Sequence, residues 1–481
     1  MTTRPIRRPF VLASVMAATF MIAIEATIVS TAMPQIAGQL GDLHLYAWVF
    51  SAFLLAQTAT TVVFGKLSDV FGRRPMILLG IGFFLVGSVL CGFAWSMPSL
   101  IVFRLVQGIG GGAIQPVSMT VIGDLYSVQE RAKMQGWLAS VWGISSVLGP
   151  LAGGLIIQHL HWAWVFWINV PVGLLAAVGF WAFLHEAPAR TVRRIDIWGA
   201  LLFAVAIAAL MMALTQPGIA IWAGLLFLIS AGLFVWQEGR AADPMVSFEL
   251  WARRPIATAN AATVLAGMTI VGLTAFLPMY VQGVLGRSPL VAGFALTMMV
   301  LGWPVGATVA ARNFVRFGLR RTLLAGAAFM PAGAALFLLL GPGVSPVLAG
   351  AGSLIIGLGM GLLSTTAIVI IQDSVGWSER GSATASNIFS RNLGSTLGAA
   401  ALGAVLNAGL ARHGDAAAVG MDQVRGLLDG TGLIDPGPVR DALGGALHAT
   451  FWAVFAVALT TLLLALLVPK VTITVAARPA E

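Results

Sequence analysis

Fourteen apolar blocks of about twenty residues, each ended by a short polar break, dominate this sequence. They leave few ways for it to fold. A helix needs about 20 apolar residues to cross a hydrocarbon core of roughly 30 Å. In that medium backbone groups must bond within the segment, which selects helices. The blocks lie near 10–33, 46–68, 75–95, 98–123, 135–158, 164–184, 196–214, 218–236, 256–281, 289–311, 321–341, 345–371, 382–411 and 446–468. Only 9% of the residues are charged, against about 25% in soluble proteins, too few to cover a water-facing surface. The 56 Gly and 22 Pro suit helices that pack closely and bend in lipid. The expectation is an all-α polytopic membrane protein with fourteen transmembrane helices.

Arg4, Arg7 and Arg8 before the first block imitate a secretory signal. That block is too long for one, holds Glu25, and lacks a small-residue cleavage pattern, so it reads as a retained first helix. Orientation follows from Lys and Arg. With the N-terminus inside, cytoplasmic segments hold 21 and outer segments 4, namely Arg287, Arg412, Arg425 and Arg440; Arg104 and Arg391 lie within spans. The bias places both termini in the cytoplasm, in a bacterial-type cytoplasmic (inner) membrane. The net charge of +9 is thus topological and implies no nucleic acid. The outer loop near 412–445 carries Asp415, Asp422, Asp429, Asp435 and Asp441 and reads as a solvated connection or a partner site. Cys91 is the single cysteine, so no intramolecular disulfide can form.

An internal repeat is visible. Gly108, Gly110, Gly112, Asp124, Glu130 and Arg131 recur as Gly357, Gly359, Gly361, Asp373, Glu379 and Arg380, every pair 249 positions apart, and Gly149 pairs with Gly398 at the same offset. Phe71, Gly72 and Gly80 recur as Phe317, Gly318 and Gly326 at an offset of 246. Transporters are often built from such repeats. The chain therefore reads as an N-terminal six-helix bundle (10–184), a two-helix insert with linkers (185–255), and a C-terminal six-helix bundle (256–468). Paired bundles imply a central cavity and rocking between outward and inward states.

Residues 65–78, with Gly65, Leu67, Asp69, Gly72, Arg73 and Arg74, resemble the loop signature of the major facilitator superfamily between helices two and three. Arg104, Gln107, Gly108 and Gly110 resemble its helix-four motif. Gly143, Gly149, Pro150, Gly153 and Gly154 resemble its helix-five antiporter motif. Glu25, Thr27, Ile28, Val29 and Pro34 are similar to the first-helix pattern of fourteen-span drug:proton antiporters of the EmrB/QacA type, with Glu where Asp is usual. Trp164 to Gly173, including Asn169, and Pro278, Tyr280, Gln282, Ser288, Pro289 and Gly293 look like that subfamily too. The resemblance implies the major facilitator fold and proton-driven export. It also implies that Asp69 steadies the outward-facing state by meeting the N-terminus of the penultimate helix, here near Gly381 and Ser382. Arg73 and Arg131 are candidates for the same cluster, with plain positive-inside topology as the alternative. Val315 stands where the second half would carry its counterpart of Asp69, so any such latch is one-sided.

Glu25 is the acidic residue well inside a span. An ionised side chain there costs about 2.5–3.5 kcal/mol on insertion scales, so it must be neutral, paired or wetted. Burial favours the protonated form and a neighbouring cation the ionised one. Such a carboxyl can gain a proton on one side and lose it on the other. A substrate that also prefers the ionised form then competes with protons, which is antiport. The bland reading is a Glu fixed in a helix–helix hydrogen bond. Arg104 is the natural partner, since both residues lie roughly 10–12 Å below the outer boundary at 1.5 Å per residue; otherwise it snorkels outward or binds carbonyls. Gly72, Gly149, Pro150, Gly153 and Gly154 need no chemistry: they allow close approach and bending, for gating or for packing alone. Arg391 falls near mid-depth, where an Arg faces a cavity or a partner. Gln57, Gln115, Met119, Trp142, Asn260, Tyr280 and Gln282 are candidate cavity residues.

No phosphate-binding G-x(4)-G-K-[ST] motif is present, and His44, His159 and His161 lack metal-ligand spacing, so neither an enzyme, a metal nor a cofactor beyond the proton gradient is expected. The function expected is proton-coupled export of small amphipathic compounds from cytoplasm or inner leaflet, by a monomer in a lipid bilayer. The alternatives are export of a lipid or lipid precursor on the same fold, and a non-transporting membrane sensor or assembly factor.

Overall fold

The structure is a computed structural model that describes residues 7–40, 46–185, 196–215, 217–241, 248–287, 289–341, 343–413 and 437–469. All regular structure among the described residues is helical. The helices are α1 (Arg8–Leu40), α2 (Tyr46–Phe71), α3 (Arg73–Gly92), α4 (Met97–Leu125), α5 (Val128–His159), α6 (Trp164–Trp167), α7 (Asn169–Phe183), α8 (Ile197–Thr215), α9 (Ala220–Glu238), α10 (Phe248–Ala252), α11 (Arg254–Met279), α12 (Pro289–Phe317), α13 (Leu319–Leu338), α14 (Pro346–Asp373), α15 (Arg380–His413) and α16 (Gly437–Ala465). A π-helical turn, Tyr280–Val284, extends α11. Among the described residues thirteen helical segments are long and apolar enough to cross a membrane. The block expected at 196–214 corresponds to α8, whose apolar stretch Ile197–Leu210 is shorter. The acidic outer loop falls mostly outside the described residues.

The chain forms two compact units. The first holds Met1–Ser127, Ser140–Arg253 and Ser374–Phe389; the second holds Val128–Ala139, Arg254–Asp373 and Ser390–Glu481. The inserted pair α8 and α9 thus belongs to the first unit. Its anchor is aromatic: Phe203 of α8 lies 5.3 Å from Phe234 of α9 and 5.6 Å from Phe389 of α15, and Trp251 of α10 lies 6.0 Å from Phe389. Away from that anchor, α9 exposes Ile221, Trp222, Leu228 and Ile229, the surface expected of a helix bathed in lipid.

Each unit repeats the same local devices. Gly72 (φ 95°) joins α2 to α3, and Gly318 (φ 79°) joins α12 to α13. Side-chain-bearing residues rarely adopt that conformation, so the glycine permits the tight reversal in both places. Beyond the turns, glycines let helix backbones touch. A Cβ on Gly110 would strike the backbone of Gly80 and Phe84, between α3 and α4. A Cβ on Gly359 would come 2.8 Å from the carbonyl of Gly326, between α13 and α14. These are the positions the sequence repeat aligns. A capping box at Ser96 and Ser99 starts α4, each side-chain oxygen accepting the other residue's backbone N–H (3.3 and 3.1 Å), the arrangement that satisfies orphan donors at a helix start.

Candidate functional site

Among the described residues of the first unit, two polar clusters each gather several helices around one carboxylate. The first surrounds Glu25 on α1, which has no exposed surface. Arg104 of α4 donates through Nη1 to Glu25 Oε1 at 2.5 Å and to Gln107 Oε1 at 2.6 Å. Its Nε donates to the Val49 carbonyl of α2 at 3.2 Å, and its guanidinium lies 4.4 Å from the centre of the Phe53 ring. Asn169, the first residue of α7, donates through Nδ2 to Glu25 Oε2 at 2.5 Å. Gln107 Nε2 in turn donates to Ser88 Oγ on α3 at 2.8 Å, and the Cys91 thiol sits 3.9 Å from Gln107 Oε1. Glu25, Arg104, Gln107, Ser88 and Asn169 are all buried, so helices from across the unit meet on one carboxylate. A buried charge is tolerated only when paired and hydrogen-bonded, and removing one partner of such a pair costs about 3–5 kcal/mol. The depth argument for Glu25 and Arg104 thus ends in an ion pair. Asn169 and Ser88 were not among the expected site residues. Asn169 stood within a quoted motif; Ser88 carried no signal in the sequence.

The second cluster surrounds Asp69 at the end of α2. Its Oδ1 accepts from the Gly381 backbone N–H at 2.8 Å and from Arg73 Nη1 at 2.5 Å. Its Oδ2 accepts from the Ser382 backbone N–H and hydroxyl, both at 2.7 Å. A carboxylate therefore caps the N-terminus of α15, where unpaired N–H groups and the helix dipole favour an anion. Arg73 also donates to Asp124 at 3.1 Å and to the Trp377 carbonyl at 3.0 Å, and lies 4.9 Å from a Trp377 ring centre. Arg380 donates to Asp124 at 3.2 Å and to the Gly123 carbonyl at 3.2 Å. Asp124 and Arg380 were seen only as members of the repeat; here they extend the cluster. Arg131, expected near Asp69, is a buried residue of the second unit. Arg380, its repeat counterpart, belongs to the Asp69 cluster through Asp124.

The helix-five motif meets α1 next to Glu25. Gly149 lies so close to Thr27 that a Cβ would collide with its hydroxyl, and Thr27 donates to the Ser145 carbonyl at 3.0 Å. Gly153 is buried, whereas Gly154 has open space where a side chain would point. Three cavity candidates come together: Gln115, Met119 and Trp142 line a shallow recess with Thr19, Ile22, Ile114 and Ser118. Gln57 lies elsewhere, buried in α2 against Gly111 of α4. Asn260, Tyr280, Gln282 and Arg391 belong to the second unit. Tyr280 packs on Phe451, ring centres 5.5 Å apart, inside that unit's core. Asn260 is buried, while Gln282 and Arg391 are half-buried.

Residues 15–399 match the family described as Major Facilitator Superfamily, and the chain belongs to it. It is 34% identical over 412 residues to the multidrug transporter protein MdtP of Bacillus subtilis, covering 84% of this chain and 76% of that one. It is 35% identical over 412 residues to multidrug resistance protein 3 of the same organism, covering 84% and 80%. Among solved structures, the human organic anion transporter MFSD10 (TETRAN) has the same fold, with a TM-score of 0.69 at 17% identity over 96% of this chain and 100% of that one. The protein is a multi-pass membrane transporter and not an enzyme.

Proposed function

We propose that this transporter exports small amphipathic drug-like compounds from the cytoplasm or inner leaflet in exchange for protons, by alternating access. The observation that carries the reading is the sealed Glu25–Arg104 pair in the first unit. A carboxylate without exposed surface keeps its charge through its partners, Arg104 and Asn169 among them, so movement that loosens them favours proton uptake by Glu25. Protonation then frees Arg104, coupling proton binding to the packing of α1 against α4. Names borne by the two Bacillus relatives favour drugs as cargo. Asp69 and its cap on α15 serve as the conformational latch, with Arg73, Asp124 and Arg380 holding it. Within this reading α8 supplies the fourteenth span, both termini face the cytoplasm of a bacterial-type cell, the protein sits in the cytoplasmic membrane and works as a monomer, as in fourteen-span antiporters of the EmrB/QacA type.

The test is purified protein in liposomes carrying an imposed pH gradient and a panel of lipophilic dyes. Dye should move against its gradient as protons move the other way, and Glu25→Gln should abolish the dependence on the pH gradient while leaving downhill dye exchange. Full gradient-driven transport by Glu25→Gln would remove Glu25 from the coupling step.

A further inference from the structure

We propose that Asn169 is a positioning residue for proton exchange, which holds Glu25 in its ionised, Arg104-paired form and so sets the pH at which Glu25 accepts a proton. The inference rests on the proton-carrying role of Glu25 given above. Its own basis is the geometry of the amide. Asn169 Nδ2 lies 3.1 Å from the Phe166 carbonyl and 2.5 Å from Glu25 Oε2. Both neighbours are acceptors, so the group between them must be the NH2, and its two hydrogens are both used. Phe166 is fully buried, which fixes the anchor from which the second hydrogen points at the carboxylate. Asn169 is 1% exposed, yet its Oδ1 is buried without a hydrogen-bond partner. Buried amide oxygens are normally satisfied, and leaving one idle is costly. The side chain is thus oriented for Glu25 at the expense of its own acceptor.

Chemistry sets the direction of the effect. A donor aimed at a carboxylate favours the ionised form. When a proton from water neutralises Glu25, the carboxyl loses the charge that both Asn169 Nδ2 and Arg104 Nη1 bond, so both contacts weaken; when the proton returns to water they re-form. Among the described residues, the charged and titratable groups that face Glu25 are Arg104 from α4 and the Cys91 thiol from α3. From α2 come the Val49 carbonyl and the Phe53 ring beside Arg104, and from α5 the Ser145 carbonyl beside Thr27. Residues 164–183 carry no ionisable side chain, so Asn169 acts there as a dipole alone.

The experiment is a pH titration of the purified full chain in lipid nanodiscs, read by the infrared carboxyl C=O band that Glu25→Gln removes. Asn169→Leu keeps the bulk and deletes the donor; its midpoint should rise by about one to two pH units, the scale of one charge-assisted hydrogen bond. Asn169→Asp places a second carboxyl against the first, and the two should share a proton, moving the midpoint higher still. The pH of half-maximal Hoechst 33342 export in liposomes should move the same way. A merely structural Asn169 would lower the amount of folded protein or the maximal rate and leave both midpoints at the wild-type pH, which would overturn the proposal. If Asn169→Leu does not fold, Asn169→Asp alone decides by the same criterion. Should Glu25→Gln remove no pH-dependent band, the proton reading of Glu25 fails first, a result distinct from an unmoved midpoint in the Asn169 variants.

Discussion

Asp69→Asn is the sharpest perturbation available in the second cluster. The two carboxylate oxygens accept four hydrogen bonds: Gly381 N–H and Arg73 on one, Ser382 N–H and hydroxyl on the other. An amide of the same shape offers one oxygen. Its NH2 faces donors on the remaining side, so at least one backbone bond is lost and the survivors become bonds to a neutral group. Bonds to a charged acceptor contribute about 1.5–3 kcal/mol and neutral ones about 0.5–1.5 kcal/mol. Arg73 is not orphaned, because Asp124 and the Trp377 carbonyl still hold it. The cost therefore falls below the about 3–5 kcal/mol of a fully broken buried pair, and about 2–4 kcal/mol is expected. At 1.4 kcal/mol per factor of ten this is about 30- to 700-fold in local opening. Hydrogen–deuterium exchange of a peptide spanning Trp377 to Ser386, in nanodiscs at fixed pH, reads it directly. The Gly381 and Ser382 amides should exchange faster by that factor while mid-α3 amides around Phe84 stay unchanged. Exchange within about threefold of wild type would show that the cap on α15 does not depend on the Asp69 charge, and the latch would lose its physical basis.

Other outcomes follow from the same geometry. Gly87→Val should collapse the yield of monodisperse protein in detergent, since a Cβ there would stand 2.5 Å from the backbone N and Cα of Gln107 and overpacking costs about 1–3 kcal/mol or more; Gly82→Ala, with nothing within 4 Å, should behave as wild type. Arg104→Lys keeps a positive charge but cannot reach Glu25, Gln107 and Val49 together as the planar fork does, so it should unfold at lower temperature in scanning fluorimetry, while Arg104→Met, which leaves Glu25 without its cation, should lose about 3–5 kcal/mol and unfold earlier still. Phe389→Ala removes the ring that meets Phe203 and Trp251, contacts of about 0.5–1.5 kcal/mol each beyond burial; exchange protection in α8 and α10 should fall, with α13 unaffected.

Much of the fold was legible because membrane spans announce themselves by length and apolarity, and because the repeat aligned glycines that do turn out to be helix contacts, as at Gly110 and Gly359. The site was legible in part. Depth along a helix can be counted, so Glu25 and Arg104 could be placed at one level; the face each helix turns to its neighbours cannot, so Asn169 and Ser88 stayed out of view. For the same reason the packing of the Tyr280 ring on Phe451 in the second unit could not be read from the sequence. A short polar loop marks where a helix ends without showing which arginine reaches which carboxylate, and Arg380 from far along the chain shares Asp124 with Arg73.

The repeat also says where to look for chemistry, by its failures. What is duplicated is scaffold: the positive-φ turns at Gly72 and Gly318, the glycine contacts between consecutive helices, the Asp124 and Asp373 positions. The two carboxylates on which the polar clusters centre are not duplicated. Asp69 answers to Val315, and at either offset of the repeat Glu25 falls on Val271 or Thr274. Selection that acted on packing alone would have no use for the difference, since a buried carboxylate is less stabilising than a well-packed apolar residue of similar volume. Each therefore stands where a stable helical bundle has reason to place something else, and both lie in the first unit. A transporter that carried one exchangeable proton site and one latch would show this pattern: a symmetric frame, with a single copy of each charge whose neutralisation changes the state. Placing a carboxylate at Thr274 should then destabilise the second unit without adding a second coupling site, measurable as a lower unfolding temperature with unchanged proton-to-dye stoichiometry.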